Sequence, residues 1–355
     1  MTTTSTSIKK PAQRTVKLTG IPAEPAVAAT KADTGWLSSK AWSMAGATLP
    51  WVAAVATYLA APDYAPLLTQ VLIMILFAMS LDLLVGYTGI VTLGHAALFG
   101  TGAYTAGILS IHGLTAPLVT AALGMGAAAV VGLAFGSLML RTRGLAFLML
   151  SLAAVMLLHE GANMASSITG GDDGLQGINF TPVLGMFEFD FQGRTAFFYT
   201  LSILFIAFLF MRRLVNSPFG WSLRGIRENH LRMSAIGCPN YGRRLTAYVI
   251  ASAMAGLAGA LQAQSTGFVA LHSLSFELSG DVLIMLILAG SGRLYGPFIG
   301  VPLYMLAQDY LAKEDPTNWF LWQGVMLLVL VLFARGGLLI LAERLINKLK
   351  DRRNA

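Results

Sequence analysis

Charge is scarce in this chain. Asp, Glu, Lys and Arg make up 12% of its 355 residues, about half of the roughly 25% found in soluble globular proteins. Apolar residues make up 55%, and the mean hydropathy is +0.67. A soluble domain is thereby excluded, which leaves a polytopic membrane protein. Cysteine is almost absent as well. The lone Cys238 excludes an internal disulfide framework and a cysteine-built metal cluster. No GxxxxGK followed by Ser or Thr occurs, so the chain does not bind ATP through a phosphate loop. His95, His112 and His272 are scattered, with no HExxH or other ligand spacing, and no metal is assigned. A net charge of +7 would suggest nucleic acid in a soluble chain. Here the basic residues lie between hydrophobic spans, and membrane orientation is the simpler explanation, with no nucleic-acid partner.

What is there in abundance is long apolar runs. A span needs roughly 20 apolar residues, fewer where a helix is re-entrant or sheathed in protein. Ten candidates meet that measure: 41–61, 67–87, 94–111, 116–140, 144–164, 195–211, 244–264, 278–291, 294–311 and 319–334. The expected fold is therefore all-α and polytopic, with about ten transmembrane or re-entrant helices. Residues 1–40, rich in Thr, Ala, Pro and Lys and without the apolar core of a signal peptide, read as a disordered cytosolic tail. Residues 41–335 read as one membrane domain. Residues 336–355 read as an amphipathic tail along the inner surface, with Leu338, Leu341, Leu345 and Leu349 opposed to Arg344, Lys348 and Arg352. Placing the N-terminus inside puts 22 of the 24 Lys and Arg on the cytosolic side, with Arg194 and Lys313 the exceptions. Outer loops instead carry Asp63, Asp172, Asp173, Glu188, Asp190, Glu314 and Asp315. That asymmetry predicts cytosolic termini at both ends.

Three stretches stand out. The segment 212–243 is the longest basic loop; with the adjoining Arg244 it carries Arg212, Arg213, Arg224, Arg227, Arg232, Arg243 and Arg244 against a single acid, Glu228. Within it, residues 224–237 are expected to form a short amphipathic helix, bounded by Gly220 before and Gly237-Cys-Pro after. Such a helix at the membrane face is a docking surface for a soluble partner. The second stretch runs Leu81 to Tyr104, where Gly86, Gly89, Gly94, Gly100 and Gly102 enclose Thr88, Thr92 and His95. It reads either as a broken helix lining a translocation path, with Gly86, Thr88, Gly89, Thr92, Gly94 and His95 as candidates, or as plain small-residue helix packing. A second glycine patch, Gly292, Gly296 and Gly300, loosely echoes it, as internal repeats of transporters do. The third is the outer loop Thr169–Ile178, whose Asp172 and Asp173 are candidates for docking an external partner. Intramembrane acids are costly unless paired or facing water. Several of Asp82, Glu160, Glu277, Asp281 and Asp309 fall near expected helix ends, where they would be only interfacial. Glu160 beside His159 reads as a satisfied polar pair near the outer face rather than a proton relay.

Taken together these stretches resemble the LivM-type permeases of ABC importers for branched-chain amino acids. The resemblance covers roughly residues 65–340. It is carried by LDLLVGYTGIVTLGHAALFGTGAY (81–104), RGLAFLMLSLA (143–153), TGGDDGLQGI (169–178), the run from SPFGWSLRGIREN at Ser217 to Leu261, and IMLILAGSGRLYGPFIG (284–300). Cys238-Pro239 departs from it, since such permeases more often continue there with residues such as Ile-Asn. The resemblance implies a multi-pass protein of a bacterial inner membrane. It implies pairing with a LivH-type permease, two cytosolic ATPases and a periplasmic binding protein. It places Arg224, Arg227, Glu228, Asn229 and Gly237 in a segment that couples to an ATPase. ATP and Mg would be held by those ATPases, and this chain would carry no cofactor and no catalytic residue. Related permeases move urea, short amides or aromatic acids, so the substrate stays open at this point. A proton-coupled secondary transporter or a channel are the readings from other classes. The first would need the intramembrane acids and no ATPase, and the second would pass substrate downhill alone.

Overall fold

The computed structural model describes residues 40–60, 62–142, 144–182, 193–318, 321–325 and 328. The expected N-terminal tail apart from Lys40, the amphipathic segment 336–355, Arg143, Glu188, Asp190 and most of the tenth span fall outside them. The chain divides into two units, Met1–Ala53 and Ala54–Ala355. The first contributes, among the described residues, the opening turns of helix α1, which runs Lys40–Ala60.

The described residues of the second unit form helices joined by loops, with no strand beyond one isolated bridge between Leu175 and Val269. After α1 come α2 (Ala65–Asp82), α3 (His95–Ile111), α4 (Pro117–Met139), α5 (Leu145–Met164) and the short turn α6 (Ser166–Thr169). Then follow α7 (Arg194–Val215), α8 (Pro218–Glu228), α9 (His230–Ala235), α10 (Asn240–Thr266), α11 (Phe276–Ala289) and α12 (Pro297–Glu314). Nine of the ten expected spans coincide with helices to within a few residues. Prolines stand in the first turns of α2, α4, α8 and α12, where the missing N–H has no helical partner to lose.

Five of these helices are long and apolar enough to cross a membrane: Pro62–Thr88, with α2 at its centre, and α4, α5, α7 and α10. They differ in what they bury. α2, α3 and α10 form the core, and α2 is covered on nearly every side. α4, α5 and α7 turn long apolar faces outward, among them Val130, Leu157 and Ile206. In water such faces would drive aggregation; in a bilayer they face acyl chains at no penalty. With no hydrophobic drive between helices in lipid, close backbone contact must hold the core together. It does so where α3, α4 and α10 cross at small residues: a Cβ placed on Gly102 would lie 2.0 Å from Gly256 O, and one on Gly256 2.2 Å from Ala128 Cβ. Gly100 and Gly102, read in the sequence as part of one glycine stretch, thus belong to helix packing.

α4 and α10 run antiparallel. Tyr241 at the start of α10 donates to Ser137 O near the end of α4 (2.8 Å), and Gln264 near the end of α10 donates to Pro117 O (2.7 Å) and Thr120 Oγ1 (3.0 Å). The unit therefore has two distinct ends. One carries α8, α9 and their arginines. At the other, Leu175, Ile178, Val269, Leu271 and Leu274 make an apolar cap over the ends of α3 and α10.

Candidate functional site

The helix that begins at Ala65 does not run on into α3. At Leu83–Thr88 it widens into a π turn and ends at Gly89, whose φ of +72° is left-handed. Leu84 O takes up the chain end, accepting from Thr88 Oγ1 (2.6 Å), from Gly89 N and from Ile90 N (2.9 Å). Residues 89–94 are non-helical, and α3 restarts at His95 level with the body of α2, since His95 Nε2 meets Ser80 Oγ at 2.8 Å. Unwound backbone at membrane depth needs partners from the protein itself. They come from other helices: Leu93 N donates to Ser151 Oγ of α5 (3.2 Å) and Ala96 N to Ser279 Oγ of α11 (2.9 Å), while Gly94 N reaches Thr92 Oγ1 (3.1 Å). Ser80 Oγ donates to Phe77 O (2.6 Å), so it must accept from His95, which fixes the imidazole proton on Nε2. The ring is fully buried and stacks on Phe77 with centroids 5.3 Å apart.

Five of the six path candidates, Gly86, Thr88, Thr92, Gly94 and His95, are thus buried within this chain and shape the break. Gly89 is exposed, and so is Val91, which sequence reading did not single out. Along 89–93 exposed or half-exposed residues alternate with buried ones, so Gly89, Val91 and Leu93 are the positions that open outward from the break.

The basic loop departs from the single helix expected over 224–237. Two helices occupy it, broken at Asn229 (φ −153°, ψ 98°). Asn229 Oδ1 accepts from Arg232 N (2.9 Å), capping α9 instead of continuing α8. A short amide side chain competes in this way with helix propagation. Gly220 is not the breaker expected before the helix. It sits in the first turn of α8 and donates its N–H to the cap Ser217 Oγ (3.4 Å). Gly237, at φ +83°, does follow the end of α9. The two helices are unlike. α8 buries Leu223 and Ile226 and turns two arginines onto the π turn. The Arg224 guanidinium lies over the Tyr87 ring at 5.1 Å, and Arg227 Nη1 donates to Gly86 O. α9 buries nothing: Leu231, and Ile236 just past its end, are each 77% exposed, and Glu228 and Asn229 at the break are exposed too.

Asp172 and Asp173 lie at the opposite end in a 3-10 turn, Gly171–Asp173, both exposed. The loop beneath them is held by the Leu175–Val269 bridge, with N–H···O distances of 2.8 and 3.2 Å. Of the intramembrane acids, Asp82 is fully buried, its Oδ1 accepting from Gly292 N at 2.7 Å. The α2 segment ends one π turn beyond it, and α8 covers that end. Asp281 Oδ1 accepts from Tyr304 (2.7 Å), Asp309 pairs with Lys313 (2.6 Å), and Glu277 lies in the first turn of α11. His159 and Glu160 approach only to 4.0 Å on an exposed stretch of α5. Among the described residues no three His, Cys, Asp or Glu side chains converge as a metal site would require.

Five helices long and apolar enough to span a bilayer, three of them with apolar faces turned outward, define a multi-pass membrane protein. Residues 64–334 match the family described as branched-chain amino acid transport system / permease component, and the chain belongs to that family. It is 27% identical to the high-affinity branched-chain amino acid transport system permease protein LivM of Escherichia coli (strain K12), over 74% of this chain and 67% of that protein. It is 26% identical to the LivM protein of Salmonella typhimurium over the same shares. A probable LivM of Methanocaldococcus jannaschii is 29% identical over 39% of this chain and 40% of its own length. No solved structure matches the chain at a significant level. The chain is accordingly a permease component, a transport protein and not itself an enzyme.

Proposed function

We propose that this chain is one membrane-spanning permease of an ATP-driven importer for branched-chain or chemically related amino acids in a bacterial inner membrane. The helix break forms part of the translocation path where Gly89 and Val91 open outward. A second, homologous permease of the LivH type faces it and completes that path. Two cytosolic ATPases, which hold the ATP and Mg, dock at the α8–α9 end, and a periplasmic binding protein docks at the Asp172–Asp173 end. The observation that carries the reading is α9. It is a helix in the most basic loop with its N-terminal end capped, yet its Leu231 and the Ile236 that follows it are 77% exposed. Apolar side chains so presented on a cytosolic loop are dock residues in search of a partner.

Affinity purification of the tagged chain from its own host, followed by subunit identification, tests this. A second permease and two ATPases are expected to co-purify, and reconstituted uptake should require ATP. Recovery of the chain alone, with ATP-independent uptake, overturns the reading in favour of a channel or a proton-coupled carrier. The outer end makes a separate prediction. Asp172→Arg with Asp173→Arg should lower binding-protein affinity and uptake more than about fivefold, the effect of reversing two rim charges at an interface. Chain abundance should stay unchanged, since both side chains are exposed. Unaltered affinity in a surface-binding measurement removes the docking role from this loop.

A further inference from the structure

Both arginines of α8 reach onto the membrane domain, Arg224 over Tyr87 and Arg227, itself exposed, to Gly86. Arg227 Nη1 donates to Gly86 O, a carbonyl in the π turn that closes the α2 segment. One turn earlier, Asp82 Oδ1 accepts from Gly292 N (2.7 Å), in the turn between α11 and α12. Gly292 lies between these two contacts. A Cβ built on it would be 3.1 Å from Arg227 Nη1 and 3.1 Å from Gly86 O, and its φ of +83° is one that other residues rarely adopt. Gly86 is equally confined: its Cβ position falls 2.2 Å from Asp82 Oδ1 and 2.4 Å from Gly292 N. Four residues from three segments of the chain, up to 210 positions apart, therefore meet at van der Waals distance or closer. The contacts between segments are a carboxylate and a guanidinium, each on a backbone partner. Asp82 Oδ2 has no hydrogen-bond partner, so the carboxylate is held by Gly292 and by its nearness to Arg227. Alongside, Gly89 lies against the Arg227 stem, with its Cβ position 3.0 Å from Arg227 Cγ, and Arg224 covers Tyr87.

We infer that Asp82, Gly86, Gly292 and Arg227 form a fixed joint that passes displacement of the cytosolic helix pair α8–α9 to the inner end of α2 and to the α11–α12 turn. This rests on the reading that ATPases dock on that helix pair. A docked ATPase moves α8; the work reaches the substrate path only if something stiff ties α8 to the helices that border it. The apolar contacts of Leu223 and Ile226 let α8 slide or roll. The joint does not, because displacing Arg227 strands Gly86 O and leaves the buried Asp82 without its nearby cation. The same contacts tie the two glycine patches of the chain to each other, since Gly86 and Gly292 belong to one each. Asp82 and Arg227 are thus positioning residues: they touch neither substrate nor nucleotide.

The test uses the complete complex in proteoliposomes and reads substrate imported per ATP hydrolysed, a ratio that a change in amount of folded protein does not move. Asp82→Asn and Arg227→Gln are each expected to lower it about tenfold with the ATPases still bound. The double variant should be no worse than the poorer single, because both act on one joint. Arg227→Lys, which keeps the charge but not the planar reach of the guanidinium, should fall between wild type and Arg227→Gln. If Asp82→Asn does not accumulate, Gly292→Ala replaces it, since the added Cβ presses on Arg227 Nη1 without removing a charge. Ratios within twofold of wild type in Arg227→Gln and in the second variant overturn the joint while leaving ATPase docking intact. A hundredfold loss in the double variant overturns it as well, since the two residues would then act separately. Absence of ATPases from the wild-type complex overturns the docking reading and the joint together.

Discussion

Gly259→Val is expected to abolish accumulation of the folded chain. A Cβ at position 259 would lie 1.9 Å from Phe99 O, 2.8 Å from Phe99 C and 3.0 Å from Ala103 N. All three are backbone atoms of α3, so no rotamer change relieves the overlap. The helices must separate, and the loss spreads to the neighbouring contacts of Gly102 with Gly256 and of Gly132 with Ser252. Overpacking of a core typically costs about 1–3 kcal/mol where side chains can yield; with backbone on the far side the penalty sits at or above the top of that range. In a membrane this matters more, because close approach is itself the source of helix association. Fluorescence-detected size exclusion of a tagged chain should show a fall of more than about tenfold in monodisperse protein, given that penalty against a marginal net stability. Gly126→Ala in α4 is the matched control: nothing lies within 4 Å of its Cβ position. It should be neutral or gain about 0.5–1 kcal/mol from the better helix former. Equal yields of the two variants would show that the α3–α10 crossing is looser than its geometry.

The same glycines show how far the chain could be read in advance. Apolar runs of about 20 residues set the spans, because lipid leaves a backbone no choice but to satisfy itself within a helix, and α4, α5 and α7 were visible on that ground alone. Gly86, Gly94, Gly100 and Gly102 form one compositional patch, yet they divide between two roles. Gly102 meets Gly256 in the α3–α10 crossing and Gly100 packs on Leu274 of the 3-10 turn Leu271–Leu274, whereas Gly86 and Gly94 sit at a break, against Gly292 and against Ser151 of α5. What separates them lies 57 to 206 positions downstream, so no local pattern could. The burial of Asp82 was not legible for a related reason. Counting apolar residues puts it near a span end, but the π turn carries the chain another turn inward and α8 then covers it. The break at Asn229 is different, since its cause is local. An Asn is a poor helix-interior residue and a favoured N-cap, and the cap on Arg232 N won. The start of α8 was legible in Ser217-Pro218, a cap followed by proline at the first helical position. Reading Gly220 as a breaker obscured it.

Leu231→Asp with Ile236→Asp is expected to strip the ATPases from the complex while leaving the chain folded. Neither side chain contributes to the fold: α9 has no buried residue, and its attachment runs through the Asn229 cap, the bond from Asn240 Nδ2 to His230 O (2.9 Å) and the packing of Met233 near Gly225. Docking would bury two large apolar side chains, each stabilising the interface by about 1.5–3 kcal/mol. Carboxylates in their place forgo that gain and must themselves be desolvated, so about 4 kcal/mol or more is lost in all. A factor of about a thousand in affinity follows, since each 1.4 kcal/mol is tenfold. Pull-down of the tagged variant should recover the second permease without ATPase, and ATP-driven uptake should vanish. Arg213→Gln, on the same loop but outside α8 and α9, should retain both. The competing account is that Leu231 and Ile236 simply rest in the lipid headgroups, as amphipathic surface helices do. The double variant would then loosen α9 from the bilayer and leave the ATPases bound. The location of the lost contact also separates this result from failure of the joint at Arg227. There the ATPase stays and hydrolysis is wasted; here the ATPase is gone.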